Sequence, residues 1–166
     1  MQVKGFTLVE MILYVSVCAI FLLALSSLLS FLLESRVRSQ AIAEVNQQGF
    51  QVMNSITGTI RNGRSIQTPV MGATSSLVSV TTGNPLLNPT VFSVASGTLW
   101  VTEGSRPSIP LTNSRVILSG LIFQNISSSS STEKIVRISF TIGSVNQSGR
   151  SEYDFSKAFS GSATLR

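Results

Sequence analysis

One carboxylate stands out for where it lies. Glu10 sits five residues past Gly5, in the segment Gly5-Phe6-Thr7-Leu8-Val9-Glu10, and an uncharged run from Met11 to Leu33 begins at the next residue. An acid at the centre of a membrane-crossing helix costs about 2.5–3.5 kcal/mol on insertion scales. A charge in low-dielectric surroundings is tolerated when paired and heavily penalised when left alone. Glu10 therefore calls for a positive partner. Read in isolation it is an ordinary charge at a membrane boundary; Gly5, Phe6 and the span that follows weigh against that reading.

The rest of the chain is poor in chemistry. It has no histidine, which removes the commonest acid–base catalyst and metal ligand. Cys18 is the only cysteine and lies in the apolar run, so no intrachain disulfide can form. It reads as a small packing residue. Glu152 and Asp154 stand two apart on a predicted strand. A calcium site needs about six to eight oxygens, so the two read as solvated edge charges. Gly58 to Ser65 approaches a phosphate-binding loop, but Arg64 stands where lysine is required, and the segment ends a helix where such a loop follows a strand. Trp100 reads as core or sheet surface. The net charge is +5, yet the basic residues are dispersed beyond the pairs Arg36/Arg38 and Arg61/Arg64. A nucleic-acid face needs clustering, so nucleic acid is not expected as a partner. No catalytic set, metal site or cofactor site is expected.

These residues need elements to position them. Met11–Leu33 is 23 residues without a charge. As a helix it extends roughly 35 Å, enough for a hydrocarbon core of about 30 Å. It exceeds the roughly 7–15 apolar residues of a secretory signal. Charge counting does not orient it, because Lys4 on one side faces Arg36 and Arg38 on the other. No proline or glycine occurs between Phe6 and Gln48, and apolar positions continue at Val37, Ala41, Val45, Val52, Ile56 and Ile60. That spacing marks one helix face. Asn62-Gly63 is the expected stop, with Arg61 and Arg64 suited to the negative helix end. The spacing predicts one helix from about Phe6 to Asn62, on the order of 85 Å long. Gly49 and Gly58 are expected to weaken it by about 1 kcal/mol each.

From about Thr68 the pattern changes to period two. Val136, Ile138, Phe140 and Ile142 alternate with Arg137, Ser139 and Thr141, the clearest strand in the chain. Further strands are predicted at Leu77–Thr82, Thr90–Ala95, Thr98–Thr102, Arg115–Ser119, Leu121–Ile126 and Arg150–Phe155. Turns are expected at Ser96-Gly97, Gly104–Pro110 and Asn146–Gly149, a linker at Pro69–Ser76 and a flexible loop at Ser127–Ser131. The apolar stripe is the natural partner for the sheet. The predicted class is α+β: a long N-terminal helix, transmembrane in its first half and amphipathic in its second, packed on a small antiparallel β-sheet.

The segment Gly5-Phe-Thr-Leu-Val-Glu10 resembles the type IV prepilin signature, a family of pilins and of the pseudopilins of type II secretion and DNA-uptake machines. The resemblance implies that prepilin peptidase cuts between Gly5 and Phe6 and methylates the new Phe6 amine. It implies that Glu10 docks the subunit by pairing with the N-terminal amine of a neighbour in a helical filament. The family layout divides the chain into a leader at 1–5, a transmembrane or filament-core helix at 6–33, an amphipathic helix half at 34–63 and a β-rich head at 64–166. The leader then faces the cytoplasm and the head is extracytoplasmic, first at the inner membrane and later in a filament. Implied partners are the peptidase, other pilin or pseudopilin subunits, the inner-membrane assembly platform and, before assembly, membrane lipid. Two departures are notable: Ser27 stands where many major pilins have a helix-breaking proline, and the C-terminal disulfide loop is missing. Ser26, Ser27 and Ser30 are candidates to loosen the helix instead. The stretch Ala43 to Gly49 and the C-terminal tail are similar to minor pilins and J-type minor pseudopilins. The expected function is thus a non-enzymatic filament subunit; a membrane- or filament-tip-anchored binding module, an adhesin or DNA receptor, is the alternative.

Overall fold

The computed structural model describes residues 7–128, 133–146, 149 and 154–165. The expectations for Gly5, Phe6, Glu152, residues 129–131 of the serine run and residues 147–148 lie outside them.

Helix α1 spans Leu8–Arg61, close to the predicted bounds. Thr7 caps its start: the Thr7 Oγ1 accepts from the Glu10 amide at 3.3 Å. A cap of this type satisfies a backbone donor that the helix leaves open. The helix runs unbroken through Ser26–Ser30. The Ser30 hydroxyl donates to the Ser26 carbonyl at 3.1 Å and the Ser16 hydroxyl to the Leu13 carbonyl at 2.8 Å, the back-bonding by which such side chains share the helix's own acceptors. The last turn closes with Asn62 N donating to the Gly58 carbonyl, and Gly63 begins the first strand at once.

The chain divides into two compact units, residues 1–37 and 38–166. In the first, every residue from Met11 to Leu33 is exposed. That stretch belongs to a helix long and apolar enough to cross a membrane. Soluble monomers rarely expose apolar surface on this scale, so it demands lipid or other apolar helices as cover.

The second unit holds the remainder of α1 and nine strands: β1 (Gly63–Thr68), β2 (Thr74–Ser75), β3 (Val78–Thr82), β4 (Thr90–Ala95), β5 (Thr98–Glu103), β6 (Ile109–Pro110), β7 (Val116–Asn125), β8 (Lys134–Ser144) and β9 (Ser156–Leu165). They form two antiparallel sheets, ordered β1-β3-β4-β5-β6 and β2-β7-β8-β9, where one sheet was expected. The α1 stripe Val45, Val52, Ile56 and Ile60 is fully buried. It shares one core with Val78, Val80, Phe92 and Leu99 of the first sheet and Leu118, Phe123, Val136, Ile138, Phe140 and Ile142 of the second. Each such side chain contributes about 1.5–3 kcal/mol when removed from water. The fold is therefore α+β, a long apolar helix packed on antiparallel sheets. Val37 and Ala41 are only half-buried, so the covered stripe begins at Val45.

Several local expectations need correction. Arg115–Ser119 and Leu121–Ile126 are not two strands. They are the single strand β7, whose register shifts between Ser119 and Ile122 where Gly120 adopts φ +61°. The glycine absorbs a bulge, since a residue without Cβ takes positive φ freely. The Pro69–Ser76 linker contains β2 and is bound to β7 by Asn125, whose Nδ2 donates to the Pro69 carbonyl at 2.9 Å. Ser127 is buried, not loose: its hydroxyl donates to Asn125 Oδ1 at 2.6 Å and accepts from Ile135 N at 2.9 Å. The Gly104–Pro110 turn ends in β6, which pairs Ile109 and Pro110 with β5. Asp154 and Phe155 are not in a strand; the last strand starts at Ser156, and β1 was not anticipated.

Gly49 overturns its expected cost. A Cβ there would run into the Phe159 ring of β9. The bare helix backbone lets Phe159 seat against α1, stacked on Phe140 with centroids 5.4 Å apart and edge-on to Phe50 at 5.8 Å.

Candidate assembly segment

Glu10 occupies the third residue of α1, half-buried against its own helix. The Tyr14 hydroxyl, one turn along, donates to the Glu10 Oε1 at 3.3 Å. Residues four apart on a helix are neighbours, so the pair meets with no help from elsewhere in the fold. The helix start also favours a carboxylate, because its free amides carry partial positive charge. Thr7-Leu-Val-Glu10 fits the capping pattern Ser/Thr-x-x-Glu, a local role not among the expectations above. Its signal is the threonine three residues before the acid. These contacts orient the carboxylate; none neutralises it. Among the described residues the one ion pair is Arg106 with Glu103 at 3.4 Å.

Beyond Glu10 the segment offers large exposed apolar side chains on all sides: Leu13, Val17, Ile20, Phe21, Leu25, Leu28 and Phe31 among them. Cys18 is exposed in the same stretch. The arrangement presents one oriented carboxylate at the mouth of an apolar cylinder. Chemically, that suits packing among similar helices with a cation supplied from outside the described residues.

The other sequence candidates do not converge. Gly58–Arg61 closes α1 and Gly63–Ser65 opens β1, the reverse of the strand–loop–helix order that cradles phosphate. Trp100 is half-buried on β5, opposite Ser93 and Pro110, as a sheet-surface residue. Asp154 is exposed. Among the described residues, no three of His, Cys, Asp and Glu gather in one place. The sequence reading missed the small polar cluster around Lys157, whose Nζ donates to Asn46 Oδ1 at 2.7 Å and lies over the Phe50 and Phe159 rings. No protein-family model matches the chain, and neither curated proteins nor solved structures yield a match.

Proposed function

We propose that this chain is a structural subunit of a type IV pilus, type II secretion or DNA-uptake filament, a minor pilin or pseudopilin without enzymatic activity. The observation that carries the reading is the placement of Glu10. It is a single oriented carboxylate between the Gly5-Phe6 junction and a helix whose next 23 residues are uncharged and exposed. The head supports it as a separate compact unit with a core of its own. In this reading prepilin peptidase removes residues 1–5 and methylates Phe6, and the apolar helix rests in the inner membrane until extraction. It then packs among the helices of neighbouring subunits, and Glu10 takes the amine of one of them. A paired charge inside such a bundle sets register as well as affinity, since any slip leaves it unpaired.

Processing tests the reading. Intact mass of the protein from cells with an active prepilin peptidase is expected to match a chain starting at Phe6 with one added methyl group. Replacing Gly5 with a bulky residue is expected to leave the precursor in the membrane. A wild-type chain that retains Met1–Gly5 in those cells contradicts the assignment.

A further inference from the structure

Three hydroxyls of the uncharged run are used in two ways. Ser16 and Ser30 donate to backbone carbonyls of their own helix, at 2.8 and 3.1 Å. Tyr14 donates to a side chain, the Glu10 Oε1, at 3.3 Å. Long side chains on a helix lean over the turn on their N-terminal side, which carries the Tyr14 ring back towards residue 10. A phenol set among apolar side chains needs a partner for its hydroxyl, and the carboxylate one turn back supplies it.

The direction of this contact matters. In the reciprocal form of the Ser/Thr-x-x-Glu pattern the acid turns back to the amide of the capping residue, out at the helix start. Here Oε1 turns forward, to a residue one turn along and inside the uncharged run. The Thr7 hydroxyl serves the Glu10 amide, so the start of α1 is capped without the carboxylate. The acid is thereby drawn along the helix to the first turn of the apolar stretch. Opposite charges attract more strongly in such low-dielectric surroundings than in water. A carboxylate offers two oxygens with about four lone-pair sites. With Oε1 engaged, Oε2 is left for a cation.

We infer that Tyr14 is a positioning residue for docking: its hydroxyl fixes the rotamer of Glu10 and presents Oε2 to the amine of a neighbouring subunit. This rests on the docking role given to Glu10 above. The role needs the hydroxyl and not only the ring. Phenylalanine at this position keeps the apolar surface that packs against lipid or neighbouring helices and loses the donor. Tyrosine also suits a membrane boundary as an amphipathic ring, and in that capacity it acts with or without Glu10. The two roles therefore differ in whether the effect of the hydroxyl depends on the acid.

Tyr14→Phe, Glu10→Gln and the double variant separate them, each in the full chain at matched expression in filament-forming cells. Membrane insertion and cleavage after Gly5 are expected to persist in all three. The ratio of filament to membrane protein is expected to fall about three- to tenfold in Tyr14→Phe, the scale of one net hydrogen bond. The double variant is expected to match Glu10→Gln, because the hydroxyl then has no carboxylate to hold. A second readout needs no filament. The infrared carboxylate band of Glu10 in lipid bilayers, isolated by difference against Glu10→Gln, is expected to shift when Tyr14 becomes phenylalanine. A Tyr14→Phe ratio equal to wild type, beside a depleted Glu10→Gln, overturns the inference and leaves the docking role of Glu10 in place. An equal loss from Tyr14→Phe in both backgrounds overturns it too, since the residue then acts apart from the acid. So does a carboxylate band that does not move. An unchanged ratio in Glu10→Gln overturns the docking role and this inference together.

Discussion

Gly49 and Gly58 are both interior glycines of α1, and their surroundings differ. A Cβ at Gly49 meets the Phe159 ring, whereas one at Gly58 meets nothing within 4 Å. Gly49→Ala must push the ring or the helix aside, at about 1–3 kcal/mol for overpacking. Gly58→Ala carries only the propensity gain, about 0.8–1 kcal/mol in favour of the helix. Thermal melts of the two variants in detergent are expected to move in opposite directions, Gly49→Ala down and Gly58→Ala up. From sequence the two were indistinguishable, because the difference lies in a side chain on β9, 110 residues away. The position of Glu10, unlike its role, is plain from the sequence alone. Its surroundings are local, the apolar run on one side and Gly5-Phe6 on the other. Its Thr7 and Tyr14 contacts are equally local, three residues before and four after the acid.

At the scale of elements, α1 and β4 were readable to within a residue or two. Strong period-3.6 and period-2 patterns need no tertiary information. β9 was not readable, because its alternation sets Phe159, Gly161 and Ala163 against serines. Only the packing shows that the glycine belongs to the inner face, where a Cβ would approach Met53 Sδ to 2.9 Å. β1 was hidden because Gly63 ends the helix and starts the strand, and it is buried against Val80. The two-sheet arrangement escaped for the same reason: alternation reports a buried face but not which strands share it. The joint between helix and sheets is testable at Ile56, fully buried in the core. Ile56→Asp places an unpaired charge there, and the expected loss is on the order of 4 kcal/mol or more. Circular dichroism should show the β signal of the head lost or its melt sharply lowered. A variant that melts like the parent contradicts the helix-on-sheet core.

For the whole molecule, the division of labour is between a unit that cannot be left bare and a unit that folds around its own core. The stretch from Met11 to Leu33 is exposed throughout, apolar surface on a scale that calls for cover by lipid or other apolar helices. On the reading proposed above, Glu10 makes the span an assembly device; on the rival reading it only caps the start of a plain anchor. Glu10→Gln removes the charge and keeps the shape. Insertion into the membrane is expected to persist or improve, as the cost of the acid is gone. Cleavage after Gly5 is expected to persist as well, since the change lies five residues away. The measurement that decides the account is the ratio of filament to membrane protein, for wild type and Glu10→Gln at matched expression. The account predicts that the variant accumulates in the membrane and is depleted from sheared filaments, with its N-terminus correctly processed. An unchanged ratio would contradict it and leave Glu10 as a helix-capping residue on a membrane-anchored head.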